Sequence, residues 1–471
     1  MAALELVLYA LFLAAAGLVV WRRPVAALFL FVVGLALHNA VMASLYGAGV
    51  RGSTLTAITA WKDVLLVVAL ARVAVEALRT RRWPFAWAVV DLLALAFAAL
   101  CVVYALIPQS ALGGHAGHRA VALGLRHDVV PVGVYFLGRA LALTREQWRA
   151  LAWTLLGTAA AVATWGLIDV YAISISWWRN SAVVSYFHDH LGYDYHGTGG
   201  LPENFIYNVG GDKPFLRRLV STFLSPLASG YLFVVALLVA ARWRRAAVLL
   251  SAVVFAGLLW TYSRSSLVAL AVGLVVIACA RRSPRALGAT ALVIVVAVVW
   301  VHLFPRFGPT GNWTPADLTY QKQHASQGPQ QSYTGLSSNE PSLHEHWTSL
   351  KAGVRTVVHH PQGYGLGNVG QVASRTNTQL LAGESNYTEL GVELGLLGSL
   401  LWIAWGIAIV AGLVQARAFR IAAAFAAVAA LAVQTDVIGD PWVAYCVWGL
   451  AGAALLKTRP QERLAADAAP L

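Results

Sequence analysis

Charge is what this sequence has least of. Only 12% of its 471 residues are charged and 59% are hydrophobic, against about 25% and about 45–50% in an average soluble protein. So few charges cannot cover a globule of this size in water, and the same composition excludes a disordered or collagen-like chain. Cysteine is almost as scarce. Cys101, Cys279 and Cys446 all fall inside apolar runs, which argues against a disulfide scaffold or a zinc site. A cleavable signal peptide is missing as well: the first apolar run lacks a basic segment ahead of it and is followed by Trp21-Arg22-Arg23, so it reads as a retained span.

What is present is a succession of long apolar runs with arginine between them. The formal net charge is +13, but only five of the 34 basic residues are lysine, and they recur in short knots instead of one patch. These knots are Arg22-Arg23, Arg79 to Arg82, Arg242 to Arg245, Arg281-Arg282, and Arg417 with Arg420. That is the positive-inside pattern, so no nucleic-acid partner is expected and membrane lipids are.

The reading is an all-α polytopic membrane protein of about 12–13 transmembrane helices. Spans are expected near 3–20, 24–43, 56–77, 84–107, 129–143, 150–172, 219–240, 246–262, 265–280, 286–304, 387–414, 421–438 and 441–456. If Arg22-Arg23 is cytoplasmic, every loop on that side carries arginine or lysine. The chain then divides into residues 1–304, with ten spans and an outer loop at 173–218; residues 305–386, a long outer loop; and residues 387–471, the last spans and a cytoplasmic tail. Within the long loop, 343–358 reads as an amphipathic helix, with Leu343, Trp347, Leu350, Val354 and Val358 on one stripe.

Candidate functional residues are the ionisable ones that break this pattern. Arg264, in Thr261-Tyr-Ser-Arg-Ser-Ser266, sits between two spans joined by almost no loop, where its planar fork of donors suits phosphate oxygens. Arg217, Arg218 and Arg126 lie on the outer side, against the charge rule, and Lys62-Asp63 lies within a span. Glu384 precedes the eleventh span, with Glu389 and Glu393 one and two turns into it, and a carboxylate in a partly dry site can act as a base. Tyr387, His346 and His360 are further candidates. His188, Asp189, His190, Asp194 and His196 are the right residue types for a metal, but lie in a glycine-containing loop without fixed spacing, so no metal is expected there.

Thr-Tyr-Ser-Arg-Ser-Ser266, the long loop, Pro361-Gln-Gly-Tyr-Gly-Leu-Gly367 and Glu384-Ser-Asn-Tyr followed by Glu393-Leu-Gly-Leu-Leu-Gly398 resemble the O-antigen ligase and O-antigen polymerase superfamily. Arg218-Leu-Val-Ser-Thr-Phe-Leu-Ser-Pro226 is similar to that family's element entering its central spans. The resemblance covers roughly residues 210–400. It implies a bacterial inner-membrane glycosyltransferase of GT-C type working on the periplasmic face. Its donor would be a glycan on undecaprenyl pyrophosphate, with no cofactor or metal, and its acceptor a glycan or the lipid A core.

By the same match, Arg264 and Arg218, or its neighbour Arg217, would hold the pyrophosphate. Glu384 would be the base, and transfer would invert the anomeric centre. Arg126, Lys62, Tyr387, His346 and His360 would contact substrate. In O-antigen ligases a histidine commonly occupies the position of Glu384, and this departure favours a polymerase of repeat units over a ligase. The alternatives are that ligase, a flippase for a lipid-linked or anionic substrate, and a protein O-glycosyltransferase with the same donor.

Overall fold

The computed structural model describes residues 2–192, 201, 205–208, 213–240, 245–324, 341–379, 381 and 384–455, apart from the side chains at 2–5, 320–324, 341–343 and 345. The chain is almost wholly helical. It begins with α1 (Ala2–Arg22), α2 (Ala26–Gly47), the short α3 (Gly52–Thr59), α4 (Trp61–Thr80), α5 (Val89–Leu106), α6 (His118–Ala140) and α7 (Arg145–Ala172). Two short helices, α8 (Ile175–Asn180) and α9 (Ala182–Ser185), precede α10 (Pro226–Ala240), α11 (Arg245–Trp260), α12 (Arg264–Arg281) and α13 (Pro284–Phe307). There follow α14 (Pro315–His324), α15 (Pro341–His359), α16 (Gly370–Arg375), α17 (Asn386–Gln415), α18 (Phe419–Leu431) and α19 (Pro441–Ala454).

Seven of these helices are long and apolar enough to cross a membrane, and four shorter apolar ones accompany them. The protein is an all-α polytopic membrane protein; twelve of the thirteen expected spans overlie one α-helix each, and the run 56–77 overlies two. Helix starts follow local chemistry. Thr144 and Gln147 form a reciprocal cap on α7, Ser263 accepts the Ser266 N–H at α12, and Asp440 accepts the Val443 N–H at α19, where Pro441 occupies the first turn.

Three boundaries and one helix face differ from the hydropathy reading. The span expected at 129–143 starts instead at His118, because Arg126, His127 and Asp128 are paired inside the bundle. The run 56–77 breaks into α3 and α4 at Ala60, which puts Lys62 and Asp63 in the first turn of α4. The run 421–438 ends as helix at Leu431, leaving Asp436 in a connection. Helix α15 fulfils the expected loop helix, but Gly353 and Val357 are the buried positions among its described side chains. Trp347, Val354 and Val358 of the expected apolar stripe are exposed.

The core is continuous through most of the bundle, built on side chains such as Phe31, Phe97, Tyr135, Trp405 and Trp442. The closest approach is between α6 and α19. A Cβ on Gly138 would strike the Gly449 carbonyl, and one on Gly452 the Tyr135 carbonyl, so small residues let two backbones meet. A buried pair fixes the far end: Arg139 Nε donates to Asp91 Oδ1 at 2.8 Å, and the Tyr135 hydroxyl to the same oxygen at 2.7 Å. At the other end, strands β1 (Ile206–Tyr207), β2 (Phe215–Arg217) and β3 (Thr310–Gly311) form a small antiparallel sheet in the order β1-β2-β3. It ties the two long connections together, as does the ion pair of Arg179 Nη2 with Asp317 Oδ2 at 2.6 Å.

Candidate functional site

Helix α17 is broken one third of the way along. Gly395 adopts φ 72° and ψ −177°, a conformation open to glycine, and a Cβ there would collide with Pro361 and Gln362. The glycine-rich segment after α15 docks on the break. Tyr364 N–H donates to the Val392 carbonyl at 2.7 Å, Gly365 N–H to the Glu393 carbonyl at 2.9 Å, and Leu396 N–H to the Pro361 carbonyl at 2.8 Å. The start of α17 is pinned to the end of α18: Asn386 N–H and Ser385 Oγ both donate to the Ala432 carbonyl at 3.0 Å.

Beside this frame, residues of α2, α4, α6, α10, α16 and the connection into α19 wall a cavity of about 500 Å³, within the range of small-molecule sites. Its cationic side chains are Lys62, Arg119, Arg126 and Arg375, and its carboxylates Asp63, Asp436 and Asp440. Arg126 forms a two-point bridge to Asp63, with both contacts at 2.8 Å, and the Tyr445 hydroxyl donates to Asp63 at 2.7 Å. Lys62 is buried and donates to the Thr59 carbonyl at 2.8 Å. His127 joins Asp128 to Asp436, at 2.8 Å through Nδ1 and 2.9 Å through Nε2. Burial disfavours the Asp436 carboxylate, yet His127 and the backbone N–H groups of Gly439 and Ile438 hold it below the usual carboxylate range.

An apolar groove of about 560 Å³ opens between α17, α18 and α19, lined by Tyr387, Trp402, Trp405, Phe425, Ala429 and Trp448 among others. Groove and cavity share one stretch of chain: Ala432, Val433 and Val437 face the groove, while Thr435, Asp436 and Ile438 face the cavity.

The other sequence candidates fall in separate places. Arg218 Nε donates to the Thr261 carbonyl at 2.9 Å, and Arg264 lies over the Tyr207 ring at 5.9 Å, so the two arginines share the turn before α12 with strand β1. That turn packs on α10 at Gly230, whereas Leu227, Ala228 and Tyr231 of α10 line the cavity. Arg217 is buried and donates to the carbonyls of Val170 and Ile173, with Asp169 at 3.5 Å. Burial works against its charge and Asp169 supports it.

Glu384 Oε1 lies 2.5 Å from His346 Nδ1, each side chain about one third exposed. His360 Nε2 donates to the Leu112 carbonyl and the ring stacks on Tyr364, while the Tyr387 hydroxyl donates to the Ala429 carbonyl at 2.8 Å. Of the nine candidates, the cavity therefore gathers Lys62 and Arg126. His127, Asp436 and Arg375 had gone unassigned. Asp436 and Arg375 gave little signal, each lying in a short connection or loop-flanked helix, and His127 stood beside the more conspicuous Arg126. Among the described residues no group of three His, Cys, Asp or Glu side chains is placed to hold a metal ion. Asp194 and His196 lie outside the described residues.

A many-helix membrane protein with a charged cavity beside an apolar groove is the class these features define. Residues 246–403, about a third of the chain, match the family model described as O-antigen ligase, and this match supports the O-antigen ligase and polymerase superfamily. Members of that family are glycosyltransferase-like enzymes. The matched segment carries Arg264, His346, His360, Glu384 and Tyr387, and also Glu389 and Glu393. No curated protein matches the chain.

Proposed function

We propose that this protein transfers a glycan from a polyprenyl-pyrophosphate donor to a sugar hydroxyl at the periplasmic face of the bacterial inner membrane. The observation that carries the reading is the shared wall of an apolar groove and a cation-rich cavity, which suits an amphiphile with a lipid tail and an anionic, sugar-bearing head. Two cationic places suit two substrates. Arg264 and Arg218 take the donor pyrophosphate, where fixed guanidinium groups stabilise the charge that grows on the leaving group. Buried Arg217 holds the strand beneath them. Lys62, Arg126 and Arg375 take the acceptor, itself anionic whether it is a lipid-linked glycan or a phosphorylated lipid core. Attack from the face opposite the leaving group inverts the anomeric centre. Glu384, in place of the ligase histidine, favours polymerisation of repeat units over ligation.

A second reading has one observation in its favour: α17 is broken beside two buried carboxylates, Glu389 and Glu393, a feature common in transporters. Reconstitution with lipid-linked repeat units alone separates the possibilities. Longer lipid-linked chains mean polymerase, product only after a core acceptor is added means ligase, and movement of intact donor across the bilayer means transporter.

A further inference from the structure

Behind the cavity wall lies a closed set of titratable groups that the transfer reading does not use. His127 stands between Asp128 and Asp436, and Asp436 Oδ1 also accepts from Asn386 Nδ2 at 3.3 Å and Gly439 N–H at 3.1 Å. Of this set, His127 and Asp436 line the cavity as well as a void behind it, which has about 10 Å³, close to the space one water needs. Asp128, Asn386, Glu389 and Glu393 line the void with Val369, Gln371, Val372 and Leu390.

Three groups there lack a donor or partner among the described residues. Asp128 Oδ2 and Asn386 Oδ1 make no hydrogen bond, on side chains that are 0% exposed. The carboxylate of Glu389, 8% exposed, has no hydrogen-bond partner either. Glu393 Oε1 accepts from Gly367 N–H at 2.7 Å, and its carboxyl lies against Asp128. Two acceptor-only carboxylates in contact need a proton between them. None of the four acids pairs with lysine or arginine among the described residues. Other groups face the set from further away: Arg126, Lys62 and Asp63 from α6 and α4, Arg375 from α16, and Cys101 from α5. Four carboxylates around one imidazole in a dry interior cannot all be ionised.

We propose that this cluster, partly but not fully protonated at rest, is a proton-accepting relay for the cavity: Asp436 takes the proton of the acceptor hydroxyl, and His127 passes it to the vacant position among Asp128, Glu393 and Glu389, with one water in the void. The proposal rests on the cavity being the acceptor site. In the transfer step, a lone pair of the acceptor hydroxyl oxygen forms the new bond to the anomeric carbon, and the O–H pair stays on that oxygen as its proton leaves. The old anomeric C–O bond breaks with its pair on the leaving pyrophosphate, and the proton ends on the cluster. Asp436 is the group that touches the acceptor; His127 acts through it.

The test uses the full chain in lipid, first by the infrared carbonyl stretch of protonated carboxyls at neutral pH. The stretch is expected in the unaltered protein and weakened in Glu389→Gln and Glu393→Gln. Glu389→Gln removes no hydrogen bond and is the variant expected to fold. In turnover of lipid-linked substrate, Asp436→Asn is expected to lose about 10²–10⁴-fold in kcat with donor KM unchanged, and Glu389→Gln to displace the pH–rate profile. An absent carboxyl stretch, or an unchanged kcat and pH profile in these variants, overturns the relay. Acceptor KM unchanged in Lys62→Met overturns the cavity reading and, with it, the link between the cluster and transfer.

Discussion

Asp436 and His127 are separated by 309 positions in the chain and by 2.9 Å in space. One comes from the connection after α18 and the other from the middle of α6. The contact closes the wall between the cavity and the void, and further along the same helix α19 packs backbone to backbone on α6.

That contact places a carboxylate on the cavity wall that competes with Glu384 for the role of base. Asp436→Asn is expected to cost far more turnover than Glu384→Gln, since Glu384 is engaged with His346 outside the cavity. Parallel single-turnover measurements on the two variants decide it. A loss of about 10²–10⁴-fold in Glu384→Gln, with Asp436→Asn near normal, returns the role to Glu384.

Arg264→Ala is expected to abolish transfer with little loss of folded protein, because its side chain rests on the Tyr207 ring at the bundle's end and is no part of the core. Arg218→Ala should behave alike, though the lost bond to the Thr261 carbonyl lowers stability by roughly 1.5–3 kcal/mol. Normal glycan in cells carrying Arg264→Ala would remove the pyrophosphate role.

Lys62→Met keeps the length of a buried side chain and deletes its charge. The expected result is a rise of about tenfold or more in acceptor KM with kcat little changed, the scale of one charge-assisted hydrogen bond. Steady-state kinetics at varied acceptor concentration provide the check.

Filling the groove should hurt long-chain lipids selectively. Ala429→Phe adds a ring between α17 and α18, where Ala429 lines the apolar groove. The variant is expected to bind a full-length polyprenyl substrate more weakly and to treat a short-chain analogue as the unaltered protein does. Equal loss with both lipids would show that the groove holds no tail.

Gly395→Ala forces a side chain into a positive-φ position against Pro361 and Gln362. A destabilisation of at least about 1–3 kcal/mol is expected, read as a lower thermal transition. An unchanged transition would mean that the break in α17 relaxes freely.

Much of the architecture was readable from composition and periodicity, because an apolar run long enough to span a bilayer has few other solutions. The long apolar helices and the helix at 343–358 follow from local pattern. What hydropathy misjudged were the places where polar residues sit inside a helix. Arg126, His127 and Asp128 end a span when read locally, but α6 continues through them because partners on α4 and in the 432–440 connection satisfy their charge. The family motifs around Arg264 and Glu384 were legible as short strings. The groups around the cavity were not, because no string joins Lys62 to Arg375 or His127 to Asp436.

By itself, then, the sequence determined a helical membrane protein, its expected topology, and a set of ionisable residues too costly to be incidental at membrane depth. The tertiary structure decided which of those residues meet. Burial strengthens every electrostatic interaction, so partners are fixed by packing between distant helices. The same arginine or aspartate can brace a strand, as Arg217 does, or face a cavity, as Arg126 and Asp436 do.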